Sequence, residues 1–453
     1  MSSMEVGTIR YRMLETLRHY AVEKLHETAE HATLAERHAR WAGDFATDAV
    51  NQIGGQHQER WLKRLDAEHD NLRAALDWCA AKSNGELATK IVASLGRYWY
   101  RRGILREGLS RGDTALQLSG ADLDPGNQSQ ALIHMGVRAI NFGQTERAGK
   151  LLTQSLAIAR SIGDDKHTAQ SLNYLGVVRL SEGDYNAAVA AHNEGLMLSR
   201  KLGDKRAIAS PLGNMGNLLK DIGRSQDARA ALDEAMAMHA QNQDLTLVAY
   251  SLLNIGYLEL NDGRPREALE WFARSHEMLV DLKDDWADAY VDEGTARCRF
   301  LLGDRPLARR TYQRIIPKLR DFGDQSYVAM ALHGLGDIEL ADGNFDAADD
   351  AFSESLRIRN ELRERRSICQ AMENIARLEA SRPNGDAQRA VVLLAVADAT
   401  RKQMGVKVAP CDQRAWQETE DALRRRLGAE SFDAAWKSAE SLDTAAAVKL
   451  ALT

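Results

Sequence analysis

Amide, phenol and guanidinium side chains that could bind a ligand recur at steps of three or four residues, the spacing of one helix face. One such run contains Tyr250, Asn254 and Tyr257. An asparagine amide donates and accepts hydrogen bonds together, so it can hold a peptide backbone without reading its side chains. The alternative, open for each residue, is an asparagine that only solvates an exposed face or caps a neighbouring turn. The candidate binding residues are Asn214, Asn217, Tyr250, Asn254, Tyr257, Tyr290, Arg297, Asn374 and Arg377.

Side chains of the kinds that catalyse reactions or bind metals are present, but without the spacing that such sites need. His31, His38 and His57 are scattered, and Glu68-His69-Asp70 lacks the second histidine of a zinc-binding helix. The chain contains no G-x-S-x-G motif for an activated serine. We therefore expect a protein that is not an enzyme and that has no catalytic residues, no metal site and no cofactor.

The nearest approach to a phosphate-binding loop runs from Gly143 to Lys150. The motif G-x-x-x-x-G-K-[ST] places four residues between its glycines and a hydroxyl after the lysine. Here one residue too many separates the glycines, and Leu151 follows the lysine. Gly143 also belongs to the regular series described next, so we interpret this stretch as the turn of a repeat.

A period of about 40 residues organises most of the chain, as in a repeat protein. Seven glycines stand 40 residues apart. Because glycine makes up about 7% of an average sequence, the probability that six successive glycines would match this spacing by chance is about one in ten million. A second column requires small residues: glycine occupies it six times and alanine twice, at Ala296 and Ala376. The glycines of the first series are Gly103, Gly143, Gly183, Gly223, Gly263, Gly303 and Gly343, and those of the second are Gly96, Gly136, Gly176, Gly216, Gly256 and Gly336.

Each period predicts a helical hairpin with a breaker between its two helices. Gly183 stands where a helix ends and needs a positive φ, and Asp184 can cap the next helix. We expect the small residue at Gly176 to let two backbones approach closely. The basic run from Arg357 to Arg366 predicts a solvated helix surface rather than a DNA-binding stripe.

The line L-N-Y-L-G-x6-G-D-Y-x-x-A from Leu172 to Ala188 resembles the tetratricopeptide repeat, specifically its longer variant with an extended second helix. The resemblance implies an all-α, right-handed α-solenoid of seven to eight helical hairpins, with helical caps at both ends and a concave groove lined by the first helices. In peptide-binding members of the family, asparagines in lines similar to G-N-M-G-N, here Gly213 to Asn217, bind the ligand.

The residues before position 85 do not follow the period. Ile9 and Tyr11 alternate with arginines, which predicts a short strand, and a strand without a partner favours truncation of a longer protein. Gly54-Gly55 separates the second and third predicted helices. These early helices are predicted over Leu14 to Leu25, Leu34 to Val50 and Glu59 to Ala81.

The segments R-Y-R-M-L-E-T-L-R-H-Y-A from Arg10 and W-L-x-R-L-D-A-E-H-D-N-L from Trp61 resemble a junction found in bacterial transcriptional regulators of the signal-transduction ATPase class. In that family such a junction joins a nucleotide-binding module to a tetratricopeptide sensor arm. Here the nucleotide-binding module is absent from the sequence. The predicted domains are 1–84, an N-terminal helical segment, 85–380, the solenoid, and 381–453, a C-terminal helical cap.

The overall charge restricts the class of partner, and the cysteines indicate the cellular compartment. A net charge of −6 provides no field to hold a polyanion, so we expect no direct nucleic-acid binding and no membrane binding. No stretch is apolar enough to cross a bilayer, and the four cysteines form no CxxC pair, which is typical of a reducing cytoplasm.

Three functions therefore remain open at this point. The first, which we favour, is a regulatory module that binds a protein or peptide segment, or a small effector, in the groove, as the sensor arm of a bacterial transcriptional or signalling regulator. The second is a constitutive scaffold or adaptor, and the third is a receptor for a short signalling peptide.

Overall fold

The computed structural model describes residues 2–5, 8–11, 15–26, 30–50, 52–53, 58–118, 123–203, 205–282, 284–439 and 442–453. Within these ranges the chain forms 22 helices and one pair of short strands. The predicted all-α class is therefore confirmed. The predicted breaker Gly54-Gly55 and the side chain of His57 lie outside the described residues.

The N-terminal part contains a β-hairpin followed by three helices. The predicted strand exists, and it pairs antiparallel with an earlier strand so that Ile9 lies opposite Met4. The expectation of a strand without a partner is therefore wrong. The three predicted helices begin and end within a few residues of their predicted bounds. These elements are β1 (Ser2–Glu5), β2 (Thr8–Tyr11), α1 (Glu15–His26), α2 (Glu30–Val50) and α3 (Gln58–Ala81).

Eight helical hairpins follow, and their first helices begin at the constant spacing of the sequence period. The hairpins pair α4 (Gly85–Arg101) with α5 (Leu105–Gln117), α6 (Pro125–Asn141) with α7 (Thr145–Ser161), α8 (Asp165–Ser181) with α9 (Tyr185–Leu202), α10 (Lys205–Asp221) with α11 (Ser225–Gln241), α12 (Leu245–Asn261) with α13 (Pro265–Leu282), α14 (Asp285–Leu301) with α15 (Arg305–Phe322), α16 (Gln325–Ala341) with α17 (Phe345–Leu362), and α18 (Arg365–Ser381) with α19 (Ala387–Met404). Three helices close the chain: α20 (Gln413–Leu427), α21 (Ala429–Ser438) and α22 (Thr444–Ala451).

In seven of the eight hairpins the first helix ends at a glycine with a positive φ, as the sequence predicts. Gly183 ends α8 with a φ of 78°, a conformation that L side chains rarely adopt. Asp184 then caps α9, because its Oδ1 accepts a hydrogen bond of 3.0 Å from the backbone N–H of Ala187. Asp304 and Asp324 cap α15 and α16 in the same way.

The column of small residues makes room for a large side chain from the second helix. A Cβ atom at Gly256 would lie 2.6 Å from Cε1 of Phe272, and one at Gly216 would lie 2.6 Å from Cγ of Leu232. A Cβ atom at Gly176 would lie 2.6 Å from Nε2 of His192. The expected approach of two backbones at Gly176 is therefore wrong, since a side chain fills the gap.

Contacts divide the chain into two compact units, each with its own core. The smaller unit contains Met1–Arg138, Lys150–Thr168 and Asn242–Asp244. The larger unit contains Ala139–Gly149, Ala169–Gln241 and Leu245–Thr453. Tyr98 and Trp99 are among the largest buried side chains of the smaller unit, and Phe272 and Phe352 are among those of the larger. The predicted domain bounds at residues 84 and 380 stay a prediction.

Parts of the basic run from Arg357 to Arg366 lie inside the larger unit. Arg359 is 4% exposed, and its guanidinium lies 3.2 Å from the Glu364 carboxylate. Arg366 is half-buried and lies 3.2 Å from Asp221. The prediction of a solvated surface is therefore wrong for these two arginines. No helix in the described part of the chain is both long and apolar enough to cross a bilayer.

The glycine column provides a test of this packing. Gly256→Ala should lower the free energy of unfolding by about 1 to 3 kcal/mol, because the new methyl group overlaps the Phe272 ring. Gly213 is a matched control inside α10, where a Cβ atom meets nothing within 4 Å. Gly213→Ala should stabilise the chain by about 1 kcal/mol through helix propensity. Urea unfolding followed by circular dichroism measures both, and equal effects of the two changes would contradict the packing described.

His192 predicts a sensitivity to acid. It is 0% exposed, and neither ring nitrogen has a hydrogen-bond partner among the described residues. Burial lowers its pKa to about 4. Its stability contribution is therefore complete above the unfolded pKa of about 6.5 and is lost as pH falls from there towards 4.

At pH 5 the loss is on the order of 2 kcal/mol relative to pH 7.5. His192→Leu should remove that part of the pH dependence, since leucine occupies the same repeat position at Leu152 and Leu232. Urea unfolding at both pH values measures the change. An unaltered pH dependence in the variant would show that His192 does not titrate on unfolding.

Candidate functional site

One polar residue in each of five successive first helices of the larger unit lies at the same repeat position. We call this set the polar column. Four of its members were predicted from the sequence, and Asp337 was missed although the period places it between Arg297 and Arg377. The column consists of Asn217 on α10, Tyr257 on α12, Arg297 on α14, Asp337 on α16 and Arg377 on α18.

A buried ionic cluster forms the centre of the polar column. Asp337 is 3% exposed, and it accepts hydrogen bonds from the guanidinium groups of both Arg297 and Arg377. Nε2 of His333 lies 3.3 Å from its Oδ2 atom. Burial alone would raise the pKa of Asp337, but Arg377 and Arg297 hold it well below its usual range. The carboxylate is therefore ionised and fixes both arginines in place.

The candidate tyrosines bind neighbouring helices through their hydroxyl groups. The single O–H of Tyr257 faces two acceptors, the backbone oxygen of Tyr290 at 3.0 Å and Oε2 of Glu293 at 2.7 Å. Tyr290 donates to Asp324 and stacks on Tyr327 with ring centroids 3.5 Å apart. Burial raises the pKa of both hydroxyls well above its usual value. These contacts join successive repeats to one another.

The candidate asparagines differ in their surroundings. Nδ2 of Asn214 donates to Oδ1 of Asn173 in the preceding repeat at 3.0 Å. Asn217 and Asn254 are half-buried, as is Tyr250. Asn374 is 7% exposed, and its Nδ2 atom has no hydrogen-bond partner among the described residues. Asn214 is thus bonded to the preceding repeat, whereas the buried amide of Asn374 is a donor without an acceptor among the described residues.

A non-helical stretch between α19 and α20 lies against the polar column. We call residues 405–412 the connecting segment. Asp412 accepts from Nη2 of Arg297 at 3.1 Å and from Nε2 of Gln370 at 3.0 Å. The backbone N–H of Cys411 donates to the Asn261 carbonyl at 3.1 Å. The predicted C-terminal helical cap includes these residues. Their contacts could not be predicted, because residues 405–412 do not follow the sequence period.

The remaining candidates for chemistry stay apart in the described residues. No group of three or more His, Cys, Asp or Glu side chains is placed there to hold a metal ion. All four cysteines are free thiols, three of them buried. Burial raises the pKa of Cys298 and of Cys369 to about 12, which disfavours the reactive thiolate.

Comparison with known proteins identifies the repeats. The tetratricopeptide repeat model matches residues 127–201 and 207–281. These two segments are tetratricopeptide repeats. The chain is also distantly similar to proteins from Mycobacterium tuberculosis and Mycobacterium bovis named "Putative HTH-type transcriptional regulator", with 33% identity over 168 residues. That match covers 35% of this chain and 18% of the length of each relative.

Solved structures with the same fold have little sequence in common with this chain. A Rap protein complexed with competence and sporulation factor is 13% identical with a TM-score of 0.51, over 77% of this chain and 100% of that one. The Rap conjugation gene regulator of plasmid pLS20, in complex with the Phr* peptide, is 15% identical with a TM-score of 0.52. That match covers 80% of this chain and 96% of the other.

The ionic cluster predicts the effect of removing its central charge. Asp337→Asn should destabilise the larger unit by about 3 to 5 kcal/mol, because the partly buried Arg297 and Arg377 would lose the anion that they share. Asp346 is a matched control with a fully exposed side chain 3.6 Å from Arg382. Asp346→Asn should change stability by less than about 1 kcal/mol. Thermal unfolding of both variants measures this, and a small effect at Asp337 would refute the burial of the cluster.

Proposed function

We propose that the larger unit is a non-catalytic binding module for a protein or peptide segment and that it serves a regulator. The observation that carries this proposal is the connecting segment lying on the polar column. Arg297 and Gln370 bind one of its side chains, and a backbone carbonyl of a repeat accepts one of its N–H groups. A surface that binds a non-helical segment of its own chain has the donors and acceptors to bind one from another protein.

The comparisons support a regulatory role. The mycobacterial relatives are named as transcriptional regulators, and the resemblance to signal-transduction ATPases implies a sensor arm. The pLS20 regulator is in complex with a peptide, so this fold is compatible with peptide binding. With a net charge of −6, the proposed partner is a protein segment rather than nucleic acid or a membrane.

A small effector is the second candidate ligand, because the larger unit contains a cavity of about 330 Å³. The cavity lies between the start of α9 and the end of α19 and combines polar with apolar side chains, as small-molecule sites do. Its lining residues are Tyr185, Asn186, Val189, Ile222, Lys402, Gln403, Met404 and Gly405.

The asparagines of the first helices provide the test. Asn214→Ala with Asn254→Ala should remove partner binding and leave the melting temperature nearly unchanged, since both amides are only partly buried. Asn193→Ala with Asn360→Ala is the matched control, because both residues are exposed on second helices. Cross-linking in native lysate, affinity purification and mass spectrometry identify the proteins that each form retains.

A protein retained by the wild type and the control but lost from the test pair supports groove binding. The same proteins retained by all three forms would contradict it and favour a scaffold that uses another surface. Loss of folding in the test pair would show that these asparagines are structural. Native mass spectrometry of the purified chain detects a small effector in the cavity.

A further inference from the structure

Helix α18 presents a stripe of hydrogen-bond donors along one face. Arg366, Gln370, Asn374 and Arg377 follow one another at steps of four, four and three residues, so they lie side by side. The structure ties each charged member to a different carboxylate: Arg366 lies 3.2 Å from Asp221, and Arg377 binds Asp337. Gln370 donates to Asp412 of the connecting segment at 3.0 Å. This stripe therefore faces acceptors from three separate parts of the larger unit.

Three donors of the stripe are buried without a partner among the described residues. They are Nδ2 of Asn374 and the Nε atoms of Arg366 and Arg377. A buried donor without an acceptor costs free energy, so native proteins contain few of them. Three on one helix face indicate a surface arranged for more acceptor atoms than its own chain supplies. Peptide carbonyls and carboxylates are acceptors of this kind.

The charge of the ionic cluster indicates which acceptor belongs at Arg297. Asp337 is shared between Arg297 and Arg377, so two guanidinium groups face one carboxylate. Asp412 provides a second negative charge at 3.1 Å from Arg297. The place that Asp412 occupies is therefore suited to a carboxylate. Its two hydrogen-bond donors are the guanidinium of Arg297, which Asp337 holds in place, and the side-chain amide of Gln370.

The connecting segment is partly buried and ends in a turn that carries its contacting residues. Val406 to Ala409 have no helical structure, and Val406 and Ala409 are buried. The N–H of Cys411 binds the Asn261 carbonyl next to the bound Asp412 side chain. The N–H of Asp412 donates to the Ala409 carbonyl at 2.9 Å, so the site holds a carboxylate that a turn presents, beside one main-chain hydrogen bond.

We propose that Arg297 and Gln370 form a carboxylate-binding site, and that Asp412 of the same chain fills this site until an acidic peptide segment replaces the connecting segment. The amide of Asn374, which is unpaired among the described residues, lies one turn further along the same face of α18. The inference rests on the proposed function and names the chemistry of its partner: a non-helical segment that presents an aspartate or glutamate side chain from a turn. A tethered segment competes at an effective concentration of about millimolar, so only a partner that binds more tightly than the chain binds itself displaces it. The connecting segment thereby sets a threshold for binding.

The test uses the full-length chain and a labelled peptide with the sequence of residues 403–414, carrying Cys411→Ser to prevent oxidation. Asp412→Asn in the full chain should loosen the connecting segment, which hydrogen–deuterium exchange measures as about tenfold faster exchange or more over residues 405–412. That variant should bind the aspartate peptide, whereas a peptide with asparagine at the same position should bind at least about tenfold more weakly.

Two controls isolate the site. Adding Gln370→Ala to the Asp412→Asn chain should weaken binding of the aspartate peptide, whereas adding the exposed Asp346→Asn should not. In the unmodified chain, excess aspartate peptide should accelerate exchange over residues 405–412. This last measurement needs no variant, so it decides the matter even where Asp412→Asn impairs folding.

Equal binding of the aspartate and asparagine peptides to a folded Asp412→Asn chain would overturn the carboxylate site. Unchanged exchange of the connecting segment under excess aspartate peptide would overturn the displacement. These failures differ from failure of the proposed function, which appears as identical partners on wild type and the Asn214/Asn254 pair. A chain that binds the aspartate peptide more tightly than the asparagine peptide but retains no protein from lysate would contradict the proposed acidic partner. The site would then serve only to hold the connecting segment in place.

Discussion

The hairpins of the larger unit depend on one steric fit that recurs between their two helices. A residue without a side chain in the first helix receives a large side chain from the second, as Gly256 receives Phe272 and Gly336 receives Phe352. Neither helix can bury that side chain alone, so the hairpin is the smallest unit that packs. Within the larger unit, repetition of the fit at Gly176, Gly216, Gly256 and Gly336 sets the spacing of the first helices and places their polar residues at equivalent positions. The polar column is a geometric consequence of core packing.

The polar column has a buried charge at its centre: Asp337 is buried, and the other four members are half-buried. Burying an ionised group is unfavourable unless partners compensate, and Asp337 receives two guanidinium groups. Tyr257 and Tyr290 make similar contacts through neutral groups, because each hydroxyl forms a hydrogen bond to the following hairpin. Such contacts specify the register of one repeat on the next, because a shift would leave buried polar atoms unmatched. They also hold Arg297 in the orientation in which it meets Asp412.

Most of the fold could be predicted from the sequence because its determinants are local. The turn glycines, the capping aspartates and the small-residue column each act within one hairpin, and the helices begin where these signals place them. The candidate residues Arg297 and Arg377 were found by the sequence period. Asp337 could have been found that way too. Asp412 could not have been found from the period, because it lies 115 residues from Arg297 in the sequence and no repeated pattern links the two positions. The role of Gly176 was also misjudged, because the sequence does not reveal which side chain enters the space that a glycine leaves.

Helix α19 packs against the three closing helices as well as against α18. It completes the last hairpin with α18, and its apolar residues Val391 and Leu394 share a core with Phe432 of α21 and Val448 of α22. In a repeat array, the outer face of a terminal hairpin is the natural stacking surface for another copy. Here α21 and α22 already occupy that surface. The helices after the connecting segment therefore protect the molecule against end-to-end polymerisation at this end of the array, and their position also determines where the connecting segment must cross.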